Sequence, residues 1–373
     1  MEPYLQDNKV IEYVYIHIPF CLKKCNYCSF YSGKFSKLKK DKFLTLLLKE
    51  IELYHNSLTI KPLTIYFGGG TPSLLSPEEL QSIIKCFDTS KIKEITIEAN
   101  PLNLTKNYIE QLARTQINRI SLGTQSFIDK ELKLLSRKHN KNHNIETFSY
   151  LRKNGFENIS LDLIYGLPQQ KISDSLYSVA KIIKLQPEHI SLYCLSLKEN
   201  AALNKCKDKI PPDDDVAFFY YKARRLLLEN GYQHYEISNF SNKGYASRHN
   251  SAYWQDKFYL GLGAGASGYI NHMRYKNPEN LDKYAENIAA KKTFPNKTLL
   301  SATEHQKEYI ILALRTTKGI NKKVFKQKFT IDFEEYFVKL LEKYKSYFII
   351  SKDSIKLHPD AYFISNEILS EFV

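Results

Sequence analysis

Tyr13-Val14-Tyr15-Ile16-His17-Ile18-Pro19-Phe20-Cys21-Leu22-Lys23-Lys24-Cys25-Asn26-Tyr27-Cys28 joins a β-type run directly to three crowded thiols. Residues 13–18 read as a strand, so the cysteines sit in the loop that follows it. Five more such runs, at 63–67, 94–98, 118–122, 158–163 and 189–193, alternate with helical stretches such as 37–54, 77–87, 106–114 and 173–185. Ser76 and Pro77 suit the cap and first turn of a helix. A further helix over 213–230 is ended by Gly231. Six βα units with no antiparallel hairpin between them predict an α/β fold with a parallel sheet and helices on its outer face. Curled, that sheet makes a partial, three-quarter (β/α)6 version of the TIM-like barrel. Active sites in such barrels gather at the C-terminal strand ends, and each distinctive motif here lies just after a strand.

The 373-residue chain is long enough for one large domain and a smaller one. Its hydrophobic and charged fractions, 43% and 25%, are those of ordinary globular proteins. Met1-Glu2-Pro3-Tyr4 shows no secretory pattern and no apolar run is long enough to span a bilayer, so a cytoplasmic protein without a transmembrane segment is expected. In a reducing compartment, thiols packed between 21 and 28 point to metal rather than to disulfides. The net charge of +14 is spread along the chain and reads as a lysine-rich surface, one that would also suit an acidic electron-transfer partner. Residues 240–277, rich in Gly, Asn and aromatics, read as strand and loop. Helices at 303–314, 322–328, 333–344 and 361–372, with a hairpin pairing 347–350 and 354–357, suggest a small winged-helix-like α+β domain. The expected division is a core domain over 1–235, a connecting region over 236–300 and a C-terminal domain over 301–373.

Three thiols spaced C-x3-C-x2-C can hold three corners of a 4Fe–4S cubane. Closed clusters and structural zinc sites take four ligands, so three leave one iron open. An open iron can chelate the amino and carboxylate groups of S-adenosylmethionine (SAM), whose reductive chemistry belongs to the cofactor. The competing assignment is a zinc site completed by His17 or a distant cysteine. After the second strand, Gly68-Gly69-Gly70-Thr71 would let backbone approach a ligand closely. Glu98-Ala99-Asn100-Pro101, Ser121-Leu122-Gly123-Thr124-Gln125 and Asp162-Leu163-Ile164-Tyr165-Gly166 end later strands. Their acids and amides suit the ribose hydroxyls and amino group of SAM. Taken singly, each is also explained as a cap or turn.

Together HIPFCLKKCNYCSF, GGGTPSLL, EANP, SLGTQSF, LSRKH, DLIYGLPQQ and RHNSAYW resemble the radical SAM family, in the branch that holds oxygen-independent coproporphyrinogen III oxidase and the related heme chaperones. The resemblance runs in order from about residue 13 to 269 and continues more weakly to the C-terminus. It implies a radical SAM barrel, a cluster on Cys21, Cys25 and Cys28, and SAM contacts from Tyr15, Gly69, Gly70, Thr71, Glu98, Gln125, Arg137 and Asp162. Arg137 would pair with a carboxylate through its planar fork. The chain departs from the family at Ser136, where Gly is usual, and at Asn200-Ala201-Ala202, where a Gly-Thr pair is expected after Glu199. Phe30 stands where the oxidases carry a fourth cysteine, and only twenty residues precede Cys21. Both differences favour the heme chaperones. Arg248-His249-Asn250-Ser251-Ala252-Tyr253-Trp254 resembles their heme-associated HNxxYW motif. A histidine can ligate heme iron beside flat aromatic contacts, although a satisfied core histidine is the plainer explanation. The expected function is a heme chaperone that binds heme and passes it to an acceptor protein, its cluster served by an acidic one-electron donor such as a flavodoxin or ferredoxin. The alternatives are oxidative decarboxylation of a porphyrinogen, and nucleic-acid binding by the basic C-terminal domain.

Overall fold

The computed structural model describes residues 10–199 and 201–372. The leader-free reading of Met1-Glu2-Pro3-Tyr4, and Asn200 of the Asn200-Ala201-Ala202 departure, lie outside those residues. The chain divides into two units. One comprises the described residues through Pro212 with Phe258–Leu299, the other Asp213–Lys257 with the described residues from Leu300 onward.

In the first unit strands and helices alternate: β1 Ile11–Ile18, α1 Lys37–His55, β2 Ile60–Gly69, α2 Pro77–Ile84, β3 Glu94–Ala99, α3 Lys106–Leu112, β4 Arg119–Gln125, α4 Asp129–Leu134, α5 Lys141–Lys153, β5 Ile159–Tyr165, α6 Ile172–Leu185 and β6 His189–Cys194. All six expected strands form. A seventh, β7 Leu260–Leu262, pairs with the free side of β1, giving the order β7-β1-β2-β3-β4-β5-β6 with every pairing parallel. Three residues are too few for periodicity to reveal a strand, which is why residues 240–277 read as strand and loop without a sheet position.

Each strand presents two buried faces. Ile97, Leu122, Leu161 and Ile190 take one face, and α1, α2 and α6 contribute Leu47, Leu80 and Ile182 to the apolar core. The alternate residues are polar: Thr96 and Glu98, Arg119 and Ser121, Ser160 and Asp162, His189 and Ser191. Parallel strands buried on both faces are normally apolar throughout, and barrel lumens normally hold branched aliphatics. A polar lumen is tolerated only when its groups are bonded, as in the 2.8 Å contact of Ser160 Oγ with His189 Nδ1. Helix ends follow local chemistry. Ser76 accepts the Glu79 N–H while Glu79 accepts the Ser76 N–H, a capping box with Pro77 in the first turn.

Beyond β7 come β8 Ser267–Ile270, β9 Met273–Lys276, α7 Leu281–Ala289 and β10 Thr298–Leu299, the three strands forming an antiparallel sheet. Glu50 of α1 ties this segment to the barrel. Its buried carboxylate accepts from the Gly263 N–H at 2.7 Å, Asn277 Nδ2 at 2.6 Å and the Tyr284 hydroxyl at 2.6 Å.

The second unit holds helices Asp213–Glu229, Arg248–Trp254, Ala302–Leu314 and Lys322–Phe329, shorter helices to Ser365–Ser370, and an antiparallel sheet of Ile320–Asn321, Ser354–Leu357 and Phe348–Ile350. Phe325, Phe333, Phe348 and Phe372 fill its core, giving the winged-helix-like arrangement of helices and hairpin. Gly231 follows the first helix at φ +88°, as its position after residue 230 predicts. The RHNSAYW segment, expected as strand and loop, is a short helix capped by Ser247, whose side chain accepts the Asn250 N–H. No helix among the described residues is long and apolar enough to cross a membrane.

Glu50→Leu leaves three buried donors unsatisfied and is expected to cost about 3 kcal/mol or more. The melting temperature of the purified protein should fall by several degrees, and Glu50→Gln, which keeps an acceptor, should fall less. A Glu50→Leu melt indistinguishable from wild type would remove the carboxylate from this role.

Candidate functional site

The glycine run closes β2. Gly69 has φ +107°, and a Cβ there would meet the His17 ring at 2.6 Å; one on Gly70 would meet the Phe20 carbonyl oxygen at 2.5 Å. Freed of side chains, the Gly69 N–H donates to Glu98 Oε2 at 3.2 Å. Tyr66, two pleats earlier on the lumen face, donates its hydroxyl to Glu98 Oε1 at 2.8 Å and stacks on Tyr15. Thr71 turns its hydroxyl onto Cys21 Sγ at 3.4 Å.

Gly70, Thr71, Glu98, Gln125, Arg137 and Asp162 line one cleft of about 110 Å³ with Ser121 and Gly123. Tyr15 and Gly69 join it through Tyr66 and Glu98. Gln125 enters at φ +65°. Asp162 is bonded by Ser191 and by Ser121 Oγ at 3.5 Å. Burial pushes Glu98 up to about 7, against the pull of the Tyr66 and Gly69 donors, and pushes Asp162 up to about 6. Arg137 donates from Nη2 to the Tyr27 hydroxyl at 2.5 Å, while its buried Nε has no partner among the described residues. That spare donor in the cleft wall suits an anionic ligand group such as a carboxylate. Asn100 of the EANP motif is a turn cap, accepting the Leu102 N–H.

The thiol loop is pinned by its neighbours. Phe20–Cys21 runs parallel to Gly33–Lys34, the Cys28 N–H donates to the Cys25 carbonyl at 3.1 Å, and the Asn26 N–H donates to Ser136 Oγ at 3.1 Å. Asn26 Nδ2 donates to the Leu134 carbonyl at 3.1 Å, and the Asn26 carbonyl accepts the Leu203 N–H at 2.9 Å. All six cysteines are free thiols. Burial raises the Cys28 thiol, and Cys25 and Cys21 add to the rise. His17, the candidate fourth zinc ligand, is committed at both ring nitrogens: the Tyr15 hydroxyl bonds Nδ1 at 3.0 Å and Nε2 bonds the Tyr31 carbonyl at 3.2 Å. Burial lowers His17 to about 4, so it is neutral. Among the described residues no three His, Cys, Asp or Glu side chains meet around one point, as a single zinc ion would require. Phe30, at the fourth-cysteine position, is 69% exposed.

Three residues act at this site to which the sequence motifs assign no role of their own. Tyr27 bonds Arg137, Tyr66 bonds Glu98, and Arg119 is buried beneath the cleft. The strict alternation Arg119-Ile120-Ser121-Leu122-Gly123 is the signal that places Arg119 on the lumen face. In the second unit, His249 is fully buried and its Nε2 bonds the Tyr253 hydroxyl at 2.7 Å. Arg315 stacks over Trp254 at 5.4 Å.

The chain is similar to known proteins in sequence and in fold. A family model described as the Radical SAM superfamily matches residues 15–177, and one described as the HemN C-terminal domain matches 300–357. Heme chaperone HemW of Lactococcus lactis subsp. lactis (strain IL1403) is 34% identical over 370 residues, covering 96% of each chain. Heme chaperone HemW of Bacillus subtilis (strain 168) is 33% identical over 374 residues, covering 96% of this chain and 98% of its own. The solved coproporphyrinogen III oxidase HemN from Escherichia coli, a radical SAM enzyme, superimposes with a TM-score of 0.85 over 99% of this chain and 92% of that one, at 20% identity; the likeness is one of fold.

Glu98 is expected to be neutral below about pH 7 and ionised above it, and Asp162 to change near pH 6. Glu50 also changes near 7. In an infrared titration of carboxyl stretching on the cluster-free protein, Glu98→Gln should remove about half of the step near 7 and leave the step near 6. An unaltered titration would show that Glu98 ionises elsewhere.

Proposed function

This chain belongs to the HemW family of heme chaperones within the radical SAM superfamily, and from that membership we propose that it binds heme and passes it to an acceptor protein, with a SAM-loaded 4Fe–4S cluster participating in or regulating the transfer. The observation that carries the SAM half is the contact of Thr71 with Cys21, because it puts the thiol loop and the carboxylate cleft on one rim.

Cys21, Cys25 and Cys28 would hold three irons of a cubane. Its irons sit at separate corners, so its ligands are not required to meet at one point, and three free thiols on a pinned loop fit that demand. When bound, the cluster supplies an open iron for the amino and carboxylate groups of SAM and an electron for its sulfonium. The chain's own residues orient that cosubstrate. Gly69, Gly70 and Thr71 bring backbone close, the spare Nε of Arg137 faces an anionic group, and Glu98, Gln125 and Asp162 offer acceptors for hydroxyl and ammonium donors. Tyr15 and Tyr66 are held protonated by burial, well above their usual range, so Tyr66 donates to Glu98 at any physiological pH.

The heme half rests on what the relatives are named and on RHNSAYW in this chain. His249 is the candidate iron ligand, and Tyr253 has to release its Nε2 for that role. The two aromatics of the motif would give the macrocycle flat contact. The chain's charge of +14 suits an acidic one-electron donor, and a cytoplasmic location would supply both donor and reducing conditions.

Anaerobic reconstitution with iron and sulfide should load about four irons per chain, with an electron paramagnetic resonance spectrum that changes on adding SAM. Cys21→Ser, Cys25→Ser or Cys28→Ser should each abolish that spectrum, whereas Cys86→Ser, Cys194→Ser and Cys206→Ser should not. Loaded zinc, or a spectrum indifferent to SAM, would sink the cluster reading.

A heme titration should give saturable binding, weakened about tenfold (about 1.4 kcal/mol) and spectrally altered in His249→Ala. Unchanged affinity and spectrum would take His249 out of the site. Incubation with coproporphyrinogen, SAM and a reductant under anaerobic conditions should yield no vinyl product; its formation would establish an oxidase instead.

A further inference from the structure

Arg119 is 2% exposed, and its Nε is buried with no partner among the described residues. It opens β4 on the lumen face, two residues below Ser121 and four below Gly123, both in the cleft wall. In the register of the sheet Arg119 pairs with Thr96 as Ser121 pairs with Glu98, so Arg119 starts one pleat repeat, about 7 Å, beneath the level of Glu98. On the other side Ser121 pairs with Ser160, two residues below Asp162. The two carboxylates therefore flank the strand that carries the guanidinium.

The groups facing these acids come from every neighbouring strand. Tyr15 lies on β1, Tyr66 on β2, Glu94 on β3 with Glu98, His189 on β6, and Arg137 beyond α4. Burial keeps both tyrosines protonated, and it drives His189 well below its usual range, with Arg119 adding to that effect, so none of these three carries charge. Arg137 is shared with Tyr27 in the thiol loop. Arg119 is the cation at the base. Its charge is felt at Glu98 and at Asp162, in each case opposing the rise that burial imposes, while Asp162 adds to the rise at Glu98. Two fully buried carboxylates in one lumen do not both ionise without a counter-cation. A guanidinium suits that duty because it does not lose its proton on burial, as a lysine does.

We propose that Arg119 is a positioning residue for SAM: its fixed charge beneath the cleft favours the ionised forms of Glu98 and Asp162, so that both accept donors from the cosubstrate. This rests on the SAM reading above. Arg119 touches no ligand in this role and acts only through the two acids. Because it lies deeper than the cleft lining, it attracts the acids without filling the place of the incoming ammonium and sulfonium.

Two measurements test it, with Arg119→Gln and Arg119→Met made in parallel so that whichever variant folds carries the result. In infrared titration of the cluster-free protein, the Glu98 step should move upward by about one pH unit or more. In cluster-loaded protein, SAM affinity by equilibrium dialysis should fall about tenfold near pH 7 and recover to within about threefold of wild type near pH 9. Arg119→Lys should lie between the variants and wild type in both. An unmoved carboxyl step, or a loss of SAM affinity by the same factor from pH 6 to pH 9, overturns the proposal and leaves Arg119 a structural residue. If wild-type protein fails to bind SAM, the SAM reading falls, while the infrared step still decides whether Arg119 sets the charge of the acids.

Discussion

Two carboxylates buried in one barrel lumen set the terms for everything around them. Glu98 is the better anchored, accepting from Tyr66 on one oxygen and from the Gly69 N–H on the other. The second bond requires a backbone that turns through φ +107° with no Cβ, because the His17 ring occupies that space. His17 in turn is fixed by the Tyr15 hydroxyl and the Tyr31 carbonyl, and Tyr31 lies in the segment that returns from the thiol loop. Contacts thus run from the cleft to the segment that follows the cysteines, polar at Glu98 and at His17 and steric where the His17 ring meets Gly69. Each polar link satisfies a group whose burial alone would be unfavourable by a few kcal/mol.

The thiol loop has a second set of fastenings, and they account for a departure from the family. Ser136 adopts φ +56°, a conformation in which glycine is usual and which costs another residue about 1 kcal/mol. Its hydroxyl accepts the Asn26 N–H, an interaction worth about as much. Serine is therefore tolerated where glycine is the rule, because its side chain does work that a glycine leaves to water. The second departure follows similar lines. Ala201 and Ala202 lead into Leu203, which is buried with Leu135, Ile164 and Leu167 while its N–H reaches the Asn26 carbonyl.

Much of this was legible in sequence because it was local. A strand followed by C-x3-C-x2-C, a glycine triplet after the next strand and acids at later strand ends are patterns within a few residues, and the structure brings Gly70, Thr71, Glu98, Gln125, Arg137 and Asp162 around one cleft. What remained hidden depends on pairing across the sheet. Tyr66 and Arg119 look like ordinary strand residues until folding sets the Tyr66 hydroxyl against Glu98 and the register places Arg119 one pleat repeat beneath it. Tyr27 is only a loop aromatic until Arg137, far along the chain, folds onto it. The strand Leu260–Leu262 is too short to announce itself, and the RHNSAYW helix is masked by aromatic and β-rich surroundings, its formation depending on the Ser247 cap.

The lumen also argues for function on energetic grounds. Ion pairs and buried acids in a protein interior are seldom the most stable filling, and apolar residues of similar volume often do as well or better. Here the outer face of every central strand is apolar and well packed, which shows that this chain builds ordinary cores where nothing else is demanded. Placing Arg119, Glu98 and Asp162, with a neutral His189, inside the barrel costs stability unless these groups serve a ligand, and buried acids at strand ends pushed up toward neutral pH mark where such a ligand is met. The many bonds to Glu98 and Asp162 reduce that cost without removing it, because neither acid returns to its solution range. A cationic ligand at the strand ends would offset that residual cost by favouring the ionised form of both groups.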